Sequence, residues 1–262
     1  MAQLSKFLRQ SVVCVAVLLA AGATCATELV VGANVGNVPW EFQDEAGKFA
    51  GFEVELVQKA ADAMGMTVRF ENIPFNGLFP AVQSQRVAAA ISSITITPTR
   101  LQSLSFTQPY YDSDQSLAVL TKGNLASLAA LKGKTVGVDT ASTGDQWATA
   151  NQVKYSLADI KRYEGLAPAM LDLQAGRIDG YVSDIPAVQY YIRDKPQFRV
   201  AERIPTGERY GVMFSKGSPL AAQFDAEITK MKQSGFLAAL HQKWFGAPAE
   251  TTSSTVTVLP MP

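Results

Sequence analysis

Histidine and cysteine are almost missing from this chain. It has one histidine, His241, and two cysteines, Cys14 and Cys25, among 262 residues. Zinc sites built from several His or Cys ligands are therefore excluded, and a Ser-His-Asp or Cys-His triad would have only His241 as its base. Net charge is missing too: 23 Lys and Arg balance 23 Asp and Glu, which gives no electrostatic footprint for nucleic acid. Beyond residue 26 no apolar run is long enough for a transmembrane helix. What remains is 47% hydrophobic and 18% charged, a globular composition that can bury a core and rules out wholesale disorder. At about 150 residues per domain, the length allows one large domain or two small ones.

Residues 1–26 read as an address. Lys6 and Arg9 form a positive start, an apolar and small-residue run covers 12–23, and Ala-x-Ala-like patterns follow at Ala21/Ala23 and Thr24/Ala26. This is the pattern of a secretory signal peptide. Cleavage after Ala26 would remove both cysteines, Lys6 and Arg9, leaving a slightly acidic exported chain. Acylation of Cys25 is the alternative, but Gly22-Ala23-Thr24 lacks the apolar residue expected three positions upstream of it.

The remainder alternates between two periods. A β-branched run predicts a strand at 28–33. Phe52, Leu56, Val57, Ala60, Ala61 and Met64 recur at helical spacing and predict a helix at 52–64, closed by Gly65. A strand at 67–71, a helix at 76–85 and a buried strand at 87–94 follow, which argues for right-handed crossovers and a parallel sheet. The pattern then restarts with strands at 116–120, 134–138 and 178–182. Helices are expected at 128–131, 145–151, 168–175 and 185–192. A strand at 210–214 and helices at 220–232 and 235–245 end the ordered part. The tail 247–262, rich in Thr, Ser and Pro, is expected to be disordered.

Ligands of open α/β sheets bind beyond the carboxyl ends of strands, so the segments to inspect are 34–40, 73–77, 92–100, 139–144 and 183–184. Arg100, near a helix start marked by Pro98, offers a planar fork suited to a carboxylate, or is a solvated surface arginine. Thr143 and Gly144 precede a helix whose free N–H groups can hold an anion, or Thr143 or Asp145 is a plain N-cap. Asp184 could bind an ammonium or cap a helix. Phe75 and Trp40 could flank an apolar stem or belong to the core.

Taken in order, the stretches VPWEF (38–42), GFEVEL (51–56), ITITPTR (94–100), FTQPYY (106–111), GKTVGV (133–138) with STG (142–144), YGV (210–212) and KWFG (243–246) resemble the polar amino-acid-binding family of bacterial extracytoplasmic solute-binding proteins, family 3, which serve ABC importers. The resemblance runs from about Leu29 to Gly246. It implies an α/β chain with the type II periplasmic-binding-protein fold: lobe 1 at 27–110 plus 211–246, lobe 2 at 111–210, and two hinge strands near 110–114 and 206–210. It implies a periplasmic monomer that needs no cofactor or metal, whose partners are a free polar amino acid and the importer's membrane permease subunits.

Carried across position by position, the resemblance has Arg100 clamp the ligand α-carboxylate with help from Thr95 and Thr143. Ser93 would offer a backbone carbonyl to the ammonium and Asp184 its counter-charge. Phe75 would pack against the ligand side chain with Trp40 nearby. Asn34 stands where many relatives with cationic or glutamine ligands place an acid, which points to a glutamine-like side chain. Asp139, where relatives often carry Gln or Lys, could restore an acidic contact. The alternative function is an exported cyclohexadienyl-dehydratase-like enzyme on the same scaffold, with Glu41, Asp139 and Asp184 as the available acids.

Overall fold

The protein is described here by a computed structural model covering residues 27–262. The expected signal peptide at 1–26 and both cysteines lie outside the described residues. The chain forms β1 (Glu28–Ala33), β2 (Phe42–Gln43), β3 (Phe49–Ala50), α1 (Phe52–Ala63), β4 (Thr67–Asn72), α2 (Phe75–Gln83), β5 (Ala89–Ile91), α3 (Pro98–Ser103) and β6 (Leu104–Phe106). It continues with β7 (Tyr111–Leu120), β8 (Thr135–Asp139), α4 (Thr143–Tyr155), β9 (Asp159–Tyr163), α5 (Leu166–Gln174), β10 (Gly180–Asp184), α6 (Ile185–Ile192), β11 (Phe198–Tyr210), β12 (Met213–Ser215), α7 (Pro219–Gln233) and α8 (Phe236–Phe245).

Two five-stranded sheets result, ordered β4-β1-β5-β12-β6 and β11-β7-β10-β8-β9. The crossover strands β1, β4 and β5 are parallel, and so are β8, β9 and β10. Neither sheet is wholly parallel. β12 runs antiparallel to β5 and β6, and β7 runs antiparallel to β10 and β11. The reason lies in the connections: the chain enters the second sheet at Tyr111 and leaves it at Tyr210, and those two residues pair directly. The strand expected at 210–214 is thereby split, with Tyr210 ending β11 and Met213 starting β12. At the crossing, a Cβ on Gly211 would stand 2.9 Å from the Ile96 side chain.

Each sheet is covered on both faces. α1, α7 and α8 bury Leu56, Val57, Phe224, Ile228, Leu237 and Leu240 on one side of the first sheet, while α2 buries Leu78 and Val82 on the other. In the second sheet α4 packs Ala148 on one face, and α5 and α6 pack Met170, Leu173 and Val188 on the other. α1 starts where the sequence places it because Gly51 has φ 133°, and a Cβ there would lie 2.2 Å from the Trp40 carbonyl. β9 is an edge strand with only Ile160 buried, so its polar residues DIKRY carry no apolar alternation.

The tail departs from its expected disorder. Ser254 and Thr255 are buried. Ser254 donates from both its N–H and its hydroxyl to Asp112 of β7. Lys232 Nζ donates to the Thr257 carbonyl at 2.9 Å, and Leu259 N–H donates to Gln108 Oε1 at 3.0 Å. The groups that hold the tail belong to α7 and to the interlobe crossing, so its own composition could not announce them. Among the described residues no helix is long and apolar enough to cross a membrane.

Candidate functional site

Strand ends converge on a cleft of about 190 Å³ between the two sheets. Lobe 1 contributes Asn34 after β1, Phe75 at the start of α2, and Ser92, Ser93 and Thr95 after β5. Lobe 2 contributes Asp139 at the end of β8, Ser142 and Thr143 at the start of α4, Glu164 before α5, and Ser183 and Asp184 ending β10. Three carboxylates line the cleft and no lysine or arginine does. Among the described residues no group of His, Cys, Asp and Glu side chains could hold a metal ion.

Of the residues singled out in the sequence, Asn34, Phe75, Ser93, Thr95, Asp139, Thr143 and Asp184 all line this space. Trp40 does not. It is fully buried, with its ring edge-on to Phe52, Tyr111 and Tyr210 at 4.5–5.6 Å between centroids. Its placement as a ligand-binding residue is therefore corrected: the aromatic surface of the crossing strands and α8 draws it into the core. Arg100 stands behind the lining at 8% exposure. Its Nη1 donates to the Thr95 carbonyl at 2.7 Å, and its Nη2 reaches across the lobes to the Ala141 carbonyl at 3.4 Å. Its guanidinium lies over the rings of Phe79 and Phe75, at 4.8 and 5.7 Å. Burial lowers its pKa to about 10, and the carboxylates of Glu208 and Asp184 limit the fall.

The seam between the lobes holds a hydrogen-bond network. Asp184 accepts from the Tyr210 hydroxyl and from Gln115 Nε2. Burial and the nearby Glu208 carboxylate push its pKa up to about 8. Gln115 Nε2 gives its second proton to Glu208 Oε1 at 2.9 Å, and Thr143 Oγ1, at 3.2 Å, can only share one of the two. Glu208 Oε2 accepts from the hydroxyls of Thr95, at 2.6 Å, and Thr143, at 2.8 Å. Two oxygens at the site are less well served: Gln115 Oε1 and Asp139 Oδ1 are buried without a well-formed hydrogen bond, and burial pushes the Asp139 pKa up to about 6, a rise limited by the nearby Tyr181 hydroxyl and Gly165 N–H.

A second acid pair sits beneath the lobe 1 wall. Glu41 and Glu53 are both fully buried. Ser92 Oγ donates to Glu41 at 2.6 Å, and Asn37 Nδ2 donates to it at 3.1 Å. Glu53 accepts from the Ser93 N–H at 2.9 Å and from the Tyr110 hydroxyl. Glu41 Oε2 meets no donor from any other residue type, and burial together with Glu53 holds the Glu41 pKa well above the ordinary carboxylate range. A proton shared between the two carboxyls satisfies that oxygen. The pair fixes Ser93 in its left-handed conformation, φ 45°.

Gln115, Glu208, Tyr210 and Glu53 were not singled out in the sequence. For the hinge residues a signal existed: Glu208 and Tyr210 are two apart on a strand expected at the hinge, so their side chains share one face. For Glu53 there was none, because it sits on the apolar face of a helix.

Residues 29–247 match the bacterial extracellular solute-binding proteins, family 3. A putative ABC transporter arginine-binding protein 2 of Escherichia coli (strain K12) is 30% identical over 85% of this chain and 93% of its own length. The L-cystine-binding protein TcyJ of the same strain is 31% identical over 84% of this chain and 83% of its own length. The solved arginine-, lysine-, histidine-binding protein ArtJ of Geobacillus stearothermophilus superposes with a TM-score of 0.79 and 31% identity, covering 86% of this chain and 98% of that one. With two α/β lobes closing on one cleft and a match over nearly all of its described length, the chain belongs to family 3 of the bacterial extracellular solute-binding proteins.

Proposed function

We propose that the chain captures a free L-amino acid with a cationic side chain outside the cytoplasm and presents it to the permease of an ABC importer. The observation that carries the side-chain class is Asp139. It lines the cleft with two further acids and no base, and its carboxylate is held only weakly, with one buried oxygen lacking a well-formed hydrogen bond. A buried carboxylate so weakly partnered is costly, and a cation at the far end of a ligand removes that cost. The acid expected at Asn34 is thus replaced from the opposite lobe, and Asn34 contributes an amide to the same wall. This reading prefers arginine or lysine over glutamine, opposite to what Asn34 alone suggests. Relatives described as binding arginine, lysine and histidine support it.

In this reading Asp184 pairs with the α-ammonium, Arg100 takes the α-carboxylate once its long bond to Ala141 is released, and the N–H groups opening α4 add a favourable field for that anion. Phe75 covers the stem of the side chain. No bond is made or broken. The protein acts as a binder, its ligand joining both lobes and shifting the population toward the closed form.

The test is a thermal-shift screen of the mature protein against the twenty L-amino acids and prephenate, with mass analysis of co-purified ligand. Arginine or lysine should raise the melting temperature most, and Asp139→Asn should remove that preference. Consumption of prephenate would establish the enzyme instead, and a glutamine preference that survives Asp139→Asn would return selection to Asn34.

A further inference from the structure

Glu208 is placed by an unusual piece of backbone. β11 and β7 pair at Ile204 with Gln115 and again at Glu208 with Ser113, so three residues of β11 stand opposite Asp114 alone. The bulge is pinned by that aspartate, which accepts the N–H groups of Thr206 and Gly207, each at 2.7 Å, and Arg203 Nε at 2.6 Å. Gly207 takes the positive φ of 62° that the bulge requires. Bulges re-aim side chains, and this one sends Glu208 under the seam between the lobes. There it is 8% exposed and lies behind the two threonines that line the cleft.

A threonine hydroxyl has one proton to give and two lone pairs to receive with. Thr95 and Thr143 both give that proton to the same oxygen of Glu208. Thr95 belongs to lobe 1 and Thr143 to lobe 2, and their own oxygens are 3.5 Å apart. What the two hydroxyls still present to the cleft is lone pairs: both of those on Thr95, and on Thr143 the one not turned to Gln115 Nε2. We infer that Glu208 is a specificity-determining positioning residue: by drawing both hydroxyl protons inward, it turns Thr95 and Thr143 into acceptors and makes the seam between the lobes select a ligand ammonium over a carboxylate.

The charge around the seam agrees. Asp184 and Glu208 are tied together by the one Gln115 amide, whose nitrogen donates to both. A ligand carboxylate placed at this point would meet the lone pairs of both threonines with the Glu208 carboxylate behind them. An ammonium would meet Asp184 and both threonine oxygens. The side-chain oxygens of Thr95 and Thr143 then serve the ammonium, and only Arg100 and backbone N–H groups remain for the ligand carboxylate. The inference rests on the amino-acid-binding reading above and assigns the residue that orients a free amino acid within the cleft.

Calorimetric titration tests it, with L-arginine as probe, or whichever of the twenty L-amino acids binds the wild type most tightly, set against the same molecule lacking its α-amino group (5-guanidinopentanoate for arginine). Glu208→Gln should weaken the amino acid by about tenfold or more, the scale of a hydrogen bond to a charged group, and leave the desamino acid within about threefold of wild type. In a Thr95→Val background the same substitution should lose part of its effect, since one of the hydroxyls it orients is gone. A general loosening of the hinge would weaken both ligands alike. Glu208→Asp, measured in parallel, keeps the charge but draws it back by one methylene and should give an intermediate ratio. An unchanged ratio of the two affinities in folded Glu208→Gln or Glu208→Asp protein overturns the inference. A wild type that binds none of the twenty amino acids overturns the functional reading as well, so the two failures are distinguishable.

Discussion

At the scale of single residues, protonation is where the cleft's chemistry is most exposed to test. The ligand-free Asp184 has a pKa of about 8, so at pH 7 it is mostly protonated. An ammonium brought against it favours the carboxylate, and binding must then release most of a proton. Affinity for an L-amino acid should rise from pH 6 to about pH 8 and level off above. Calorimetry at pH 7 in buffers of different ionisation enthalpy reads the released proton directly, and Asp184→Asn should release none. Glu41 and Asp184 are both raised in the folded state. The native protein therefore holds more protons than the unfolded chain, and this contribution to stability is present in acid and lost as pH rises toward about 8. Glu41→Gln replaces the shared proton by a permanent amide donor. Its unfolding free energy at pH 8 should exceed that of wild type by an amount on the order of 1 kcal/mol, with a flatter decline between pH 5 and 8. A wild-type stability that climbs over that range would show that the pair carries no extra proton.

At the scale of elements, the tail makes the sharpest prediction. Deleting 248–262 removes the bonds from Ser254 to Asp112, from Lys232 to Thr257, and from Leu259 to Gln108. Lys232 keeps Gln108 and the Pro109 carbonyl as acceptors, so the fold should survive with a loss of about 2 kcal/mol. For a domain pair of this size that is roughly 4–8 °C in melting temperature, readable by circular dichroism. A melting temperature within a degree of wild type would mean the tail is not held. The helices were largely legible in the sequence because each buries one stripe: Leu56, Val57, Ala60 and Ala61 of α1 meet the first sheet at helical spacing. The edge strand β9 and the tail were not, because their partners are remote and their own residues are polar.

At the scale of the whole molecule, several bonds between the lobes run beside the cleft itself. Arg100 of lobe 1 reaches Ala141 of lobe 2, and Thr95 and Thr143 converge on Glu208 of the hinge strand. Arg100→Ala should abolish amino-acid binding, a loss of about 2–5 kcal/mol, while circular dichroism still reports a folded protein. Small-angle scattering should show a smaller radius of gyration for wild type with ligand than without, and no ligand-dependent change for the variant. Near-native affinity in Arg100→Ala would remove it from the carboxylate site.

The sequence by itself determined the two-unit α/β pattern, the strand-end loops where a ligand could sit, and most of the cleft lining, because local periodicity and the position after a strand are properties of neighbouring residues. Only the tertiary structure decided which of those residues face the cleft. Trp40 went to the core because Phe52, Tyr111 and Tyr210 come from three distant parts of the chain to surround it. Asp139 was left with a bare oxygen, and Glu208 was set behind two threonines of opposite lobes, by a bulge whose anchor is a residue 94 positions earlier in β7. Burial, and with it the displaced pKa values of Asp184 and Glu41, is a sum over everything that packs around a group. It has no value until the chain has folded.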